Sequence, residues 1–474
     1  MTFLKFRTMS TRRGTASRIG LSVALGLMVG LPTIAGAPST AQALSLEEAI
    51  AIAVGGHPRV FGAKAAEEVE IDTVDIERAT YFPEINATTG SGYVRTDNPG
   101  TADRGSRPPD KGTVVNVLAR TDASVQLTQR IFDGFETFRR TRSAEHVAVA
   151  AGFDVRDAAE EIAVRVVRAF LDVLQNRDII MLGEANVAKH REVQDKVTER
   201  FEGGAGTEVD LFQAESRLAL AENRLREERS NLRISETDYL EAVGQMPEDL
   251  DLPANPADAI PTTEEDGVAA AWENNPEIKS AAAIVDSRRD DIDVAKSPYW
   301  PQLNLEISHT WNKDADPTNR GIGQTTEAIL RLRYNLYRGG ADMARTSRAK
   351  ERASQTIQRE YETRRLIEER TRVNYNEISV ARDQVPVIEQ QVLATERVLE
   401  GYTEQFELGL RSLLDVLDVE NELFGARVSL VEAEYRYMFA HYQLLSDAGL
   451  LLTTVGVAPP EEGMPYEEEE MASQ

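Results

Sequence analysis

Leu211, Leu218, Leu225, Leu232, Tyr239 and Met246 stand seven residues apart, and Val416, Leu423, Leu430, Tyr437, Leu444 and Leu451 do the same. The two series share one register. Three residues after each large side chain, the second series carries Val419, Ala426, Ala433 and Ala440, and the first Ala214, Ala221, Glu228, Ser235 and Ala242. A large/small seam sustained in this way predicts long helices packed side by side at close approach.

Each series follows the same kind of turn. Phe201-Glu-Gly-Gly-Ala-Gly-Thr-Glu-Val-Asp210 and Phe406-Glu-Leu-Gly-Leu-Arg-Ser-Leu-Leu-Asp415 align at an offset of 205, so Phe201 matches Phe406, Gly206 matches Arg411 and Asp210 matches Asp415. The chain is internally duplicated. Ahead of the second turn, Ile388, Val392, Thr395, Leu399, Tyr402 and Phe406 keep a four-three spacing, which predicts two helices meeting antiparallel. The turns, with Gly203, Gly204, Gly206 and Gly409, are read as tips of coiled-coil hairpins.

The N-terminus has a basic stretch (Lys5, Arg7, Arg12, Arg13, Arg18), an apolar run from Ile19 to Ile34, and Ala41-Gln-Ala43, with no acidic residue before Glu47. Residues 1–43 therefore read as a secretory signal peptide, and the mature chain is expected to start near Leu44. Arg12-Arg13 raises a twin-arginine reading, but Gly14-Thr-Ala-Ser17 lacks the apolar positions expected after it. The formal charge of −26 repels nucleic acid and anionic lipid, and losing the basic leader makes it more negative. Without cysteine there is no disulfide framework and no thiol for a lipid anchor. Beyond the leader no apolar run is long enough to cross a bilayer as a helix, so any membrane entry must be made by strands.

From Leu46 to about Ala79 the pattern is helical until Tyr81-Phe-Pro83 stops it, and a second such stretch, from about Glu264 to Ala295, stops at Tyr299-Trp-Pro301. His57-Pro58 aligns with Asn275-Pro276 at offset 218. Alternation follows each stop. Leu303, Leu305, Ile307, His309 and Trp311 alternate with polar residues, as do Ala328, Leu330, Leu332, Tyr334 and Leu336 with Arg331 and Arg333, and Val115 to Leu127 with Arg120, Asp122, Ser124 and Gln126. Ile85 to Val94 is the fourth and weakest strand.

These patterns give a first repeat over 44–246 with a β-hairpin at 84–131, and a second over 263–452 with a hairpin at 302–337. A Pro/Asp-rich linker at 247–262 joins them, and 453–474 is an acidic tail expected to be disordered. The drop in offset from 218 to 205 assigns 13 extra residues to the first hairpin loop. Glu136 to Glu202 and Gly340 to Leu408 read as helix almost throughout, roughly 100 Å each. Pro386 should kink the second or remove one hydrogen bond.

Strands of about ten residues with one apolar face suit a tilted transmembrane barrel. Tyr93, Trp311 and Tyr334 fit its aromatic girdle, and Arg120, Asp122, Arg331 and Arg333 its lumen. A half-exposed sheet in a soluble protein gives the same alternation. Four strands cannot close, so the chain must oligomerise, and polar inward positions favour the twelve strands of a trimer over the eight of a dimer. The helices would then wall a tunnel continuous with the pore.

At Gly409-Leu-Arg-Ser-Leu-Leu-Asp-Val-Leu-Asp418, and less specifically from Leu44 to Leu452, the chain resembles the TolC-like outer membrane efflux proteins. The resemblance implies a mostly α protein with a twelve-stranded trimeric β-barrel in the outer membrane and a periplasmic helical tunnel. It implies a passive exit duct of a tripartite export system, docking a periplasmic adaptor and an inner-membrane transporter of ABC or RND type. By the same match Asp415 and Asp418 form the constriction of the periplasmic entrance, and Arg411 and Asp210 join the links that hold it shut. Where the family has a tyrosine this chain has Phe406, which puts that link in doubt. Thr207-x-x-Asp210 and Ser412-x-x-Asp415 also read as capping boxes, so both aspartates have a plain structural role available.

His57, His146, His190, His309 and His441 are scattered without metal-ligand spacing, and no nucleophile motif or phosphate loop is present, so neither enzyme activity nor a cofactor is expected. Type I protein secretion is the first reading and multidrug or other small-molecule efflux the second. An exported coiled-coil scaffold without a pore is the competitor from another class. Cargo and cognate pump are not written in these patterns.

Overall fold

A computed structural model of the protein describes residues 43–96, 116–204, 206–314 and 321–460. The leader expected over 1–43 lies outside the described residues except for Ala43, as do most of the first hairpin loop and residues 461–474 of the acidic tail. In chain order the elements are α1 (Leu46–Gly56), α2 (Pro58–Ala79), β1 (Glu84–Thr96), β2 (Asn116–Phe132), α3 (Glu136–Glu202) and α4 (Glu208–Val243). The second copy follows with α5 (Glu264–Asn274), α6 (Pro276–Lys296), β3 (Gln302–Lys313), β4 (Ile322–Arg333), α7 (Ala341–Glu407), α8 (Leu413–Asp447) and the short α9 (Leu451–Thr454).

Each helical stretch that reads as one in the sequence is divided in two, at His57 and at Asn275. Pro58 and Pro276 take the first position of a new helix, where a missing N–H leaves nothing unpaired. His57 Nδ1 accepts the N–H of Arg59 at 3.1 Å, and Asn275 Oδ1 accepts that of Ile278 at 3.2 Å. Periodicity alone missed these breaks because both halves keep their apolar face on the same neighbour.

The long helices α3 and α7 run 67 residues each. Asp133 serves the start of α3, its Oδ2 accepting the backbone N–H of Thr137 at 2.9 Å and the hydroxyl at 2.6 Å. α7 continues through Pro386 without interruption, so the proline removes a donor but does not end the helix. α4 ends at Gly244, with φ +88, and Met246 therefore falls beyond the heptad seam and is exposed.

Packing follows the seam. α2 lies on α3, α3 on α4 and α6, α6 on α7, and α7 on α8, while α3 also meets α8. Ala214, Ala221, Ser235 and Ala242 are buried, as are Val419, Ala426, Ala433 and Ala440, so the small positions let the backbones approach. The largest apolar cluster joins α1, the middle of α3 and the ends of α4 and α8, with Ile50, Ile162, Val166, Phe170, Tyr239 and Leu451 at its centre. Of residues 453–460, which composition groups with the tail, Thr453 and Thr454 complete α9, and Val455 and Val457 pack on this cluster. The acidic run begins only at Glu461.

The four strands form one antiparallel sheet in the order β1-β2-β3-β4, with a register shift between Arg130 and Phe132. Cross-strand pairs such as Asn86–Gln126–Ser308–Glu327 make one face polar, and Ile85–Leu127–Ile307–Ala328 make the other apolar. Among the described residues the outer edges of β1 and β4 have no strand partner. No helix among them is long and apolar enough to cross a membrane.

Candidate functional site

The two hairpin tips share one backbone design. Gly204 and Gly409, equivalent by the duplication, have φ +78 and +74, a conformation that favours glycine. Their N–H groups donate to Phe201 O at 2.9 Å and Phe406 O at 3.0 Å. Gly203 is the C-cap of α3 in right-handed conformation, and at Gly206 an added Cβ would come within 3.0 Å of the Phe201 nitrogen.

Both aspartates at the helix starts are caps. Thr207 Oγ1 donates to Asp210 Oδ2 at 2.7 Å and accepts the Asp210 N–H at 3.2 Å, and Ser412 Oγ treats Asp415 likewise at 2.7 and 3.3 Å. These bonds satisfy helix-end donors and place a carboxylate at the positive end of each dipole. The Ser412 hydroxyl, then its backbone N–H and Arg411, hold the Asp415 carboxyl below its ordinary range. Repulsion within a constriction ring would push the other way, but it requires further copies of the chain.

Asp418 lies one turn further along α8 and accepts from Arg217 Nη2 of α4 at 2.5 Å. One heptad above, Arg224 Nη1 donates to Asn421 Oδ1 at 3.3 Å. Thus Asp418 ties the second hairpin to the first. Sequence reading missed Arg217 as its partner, since 201 positions separate them and only the seam's register hints that they meet. The ion pair is half-exposed and contributes ~1 kcal/mol or less.

Arg411 stays within its own tip. Its guanidinium stacks on Tyr402 at 4.0 Å from the ring centroid, Nε donates to Gln405 Oε1 at 3.2 Å, and Nη1 is 4.0 Å from Asp415 Oδ2. Phe406 offers no hydroxyl, yet it joins the hairpins by another route. It packs on the cluster of Val197, Ala214, Leu413 and Leu417, and the Arg200 guanidinium lies 4.9 Å from its ring centroid.

At the sheet, Arg120, Asp122, Arg331 and Arg333 fall on the polar face by strand register. Arg120 Nε is 3.1 Å from Asp122 Oδ1, and Arg331 Nε donates to Glu306 Oε1 at 2.9 Å. Tyr93 and Trp311 fall on the apolar face towards the hairpin loops, while Tyr334 stands just past β4 at the helix end, so the aromatics mark two levels. The lower level is richer than alternation suggested. Tyr81, Phe82, Tyr299, Trp300, Leu336 and Tyr337 are all exposed at the strand–helix junctions.

A sequence model described as "Outer membrane efflux protein" matches residues 50–245 and 268–449. The outer membrane efflux protein BepC of Brucella suis is 27% identical over 82% of this chain and 81% of its own. The alkaline protease secretion protein AprF of Pseudomonas aeruginosa is 25% identical over 79% and 78%. Among solved structures, the CmeC outer membrane channel of Campylobacter jejuni superposes with a TM-score of 0.70, covering 90% of each chain at 15% identity, which is a likeness of fold.

Proposed function

Because the chain belongs to the outer membrane efflux protein family, we propose that three copies close a twelve-stranded barrel and form the exit duct of a tripartite system that secretes a protein. Members of the family are outer membrane channels and passive conduits, so the chain is an outer membrane efflux or secretion component and not an enzyme. That membership sets aside the non-pore scaffold.

The observation that carries the trimeric duct is the four-stranded sheet. It has an apolar and a polar face, two edges with no strand partner among the described residues, and helices 67 residues long leading from it. In lipid an open strand edge is untenable, and closure by copies of the same sheet satisfies it. We assign Asp415 and Asp418 to the constricted entrance, with Asp210, Arg411 and Phe406 holding the tips around it. A periplasmic adaptor and an inner-membrane transporter would dock on the helical end.

Protein cargo is favoured by the likeness to AprF, an alkaline protease secretion protein, and small-molecule efflux by the likeness to BepC. Deleting the gene separates the two readings. Loss of a protein from the culture medium with unchanged drug susceptibility supports secretion, and the converse supports efflux. Native mass spectrometry of detergent-extracted protein should give a trimer, and a stable monomer would end the duct reading.

A further inference from the structure

A groove of about 690 Å³ lies where the helices meet the sheet. Six arginines line it, Arg140, Arg288, Arg338, Arg345, Arg348 and Arg352, against three acids, Glu77, Glu136 and Asp291. This reverses the balance of a chain in which 79 acidic residues face 53 basic ones.

Most of these arginines are held locally. Arg140 pairs with Glu136 at 2.7 Å and Arg288 with Asp291 at 2.8 Å, while Arg338 and Arg345 share Asp342 at 3.5 and 2.7 Å. Arg348 and Arg352 have no acidic partner among the described residues. A second hollow of about 430 Å³ continues along α6 and α7 and adds Arg359, one heptad beyond Arg352 and likewise without an acidic partner among them. α7 starts between Arg338 and Arg345 with a glycine N-cap and no side-chain cap, so the positive end of its dipole adds to the same potential.

One wall relates the groove to the two faces of the sheet, and on the duct reading the polar face is the inner one. Gln302, the first polar-face residue of β3, is one of its walls. Residues of α2, α3, α6 and α7, packed in that order, all contribute walls, so the groove runs across one face of the helical layer.

We propose that this groove is an anion-binding station inside the duct, taking solutes or cargo segments rich in carboxylate or phosphate groups. Guanidinium groups bind both anions through paired, charge-assisted hydrogen bonds, and Arg348 and Arg352 are free to make them. Three copies would set these arginines in a belt at the top of the tunnel, opposite in sign to the acidic tips. The inference rests on the duct reading for its position in the path, but the binding itself does not.

Calorimetric titration of the detergent-solubilised full-length protein with inositol hexakisphosphate at low salt tests it. The parent should bind with an affinity that falls as salt rises, and Arg348→Gln/Arg352→Gln should bind roughly tenfold more weakly or worse. Both side chains are exposed, so folding should be spared, and Lys350→Gln on the same helix is the control that should bind as the parent does. Absence of binding, or equal affinity in all three proteins, overturns the proposal. Conductance in planar bilayers keeps the two readings apart. A parent that conducts without binding removes the groove and leaves the duct, and one that binds without conducting does the reverse.

Discussion

Replacing Glu160 by glutamine should stabilise the protein at neutral pH and leave it unchanged in acid. Glu160 sits in the middle of α3 and is 6% exposed, with Oε1 accepting the Leu452 N–H at 3.3 Å. Burial pushes its carboxyl up to about 8, and Asp157 adds to the rise, while the backbone N–H groups of Leu452 and Leu451 and the Arg156 charge oppose it. Between the ordinary carboxyl value and that raised one, the folded chain holds a proton that the unfolded chain has released. The stability contribution is therefore complete below the ordinary value and is lost as pH rises through about 8. At pH 7 the loss amounts to about 3 kcal/mol at 1.36 kcal/mol per unit. Glutamine keeps the acceptor for Leu452 and carries no titrating proton. Far-ultraviolet circular dichroism of detergent-purified protein, melted at pH values from about 4.5 to 8.5, reads the difference. The parent should lose stability across this window more steeply than Glu160→Gln. Asp157 and Asp447, each raised to about 6 mainly by burial, contribute similarly to both proteins and largely cancel. Equal slopes, or a variant less stable than the parent at pH 7, would refute the reasoning.

Leu423 is 3% exposed and packs on Val392 and Ala426 in the α7–α8 seam, so Leu423→Ala should lower stability in urea by about 2–4 kcal/mol. A loss below about 1 kcal/mol would mean that this seam is not held as described. Ser412→Ala should cost ~1 kcal/mol through the lost cap without altering ion selectivity, whereas Asp415→Ala with Asp418→Ala should also lower cation preference in planar bilayers. Unchanged selectivity in the double variant would remove the constriction assignment. At Gly267 an added Cβ would overlap the Tyr375 ring, whose hydroxyl donates to Pro261 O at 2.7 Å. Gly267→Ala should therefore destabilise by about 1–3 kcal/mol and speed proteolysis near residues 247–262, and wild-type protease resistance would contradict the contact.

Local signals in the sequence were read well where the physics is local. The equivalent glycines at the tips, the Thr207 and Ser412 capping boxes and the strand alternation each depend on a few neighbouring residues. What escaped depends on partners far along the chain. Heptads say which face of α4 is apolar, but not that Arg217 meets Asp418, nor that Arg140 of α3 and Arg348 of α7 share a groove. Nothing beside Glu160 in the sequence marks it as buried, because its hydrogen-bond partner Leu452 comes from α9, far along the chain. The breaks at His57 and Asn275 are marked by His-Pro and Asn-Pro, but the apolar stripe continues across them and hides the caps.

The edges of β1 and β4, which have no strand partner among the described residues, constrain the order of events during biogenesis. A lone subunit inserted in hydrocarbon would strand two rows of amide and carbonyl groups, each a penalty of several kcal/mol that no side chain of its own relieves. Insertion must therefore wait for company or happen together with it. Overproduced subunits should accumulate on the aqueous side as protease-sensitive species, in proportion to how slowly they find one another.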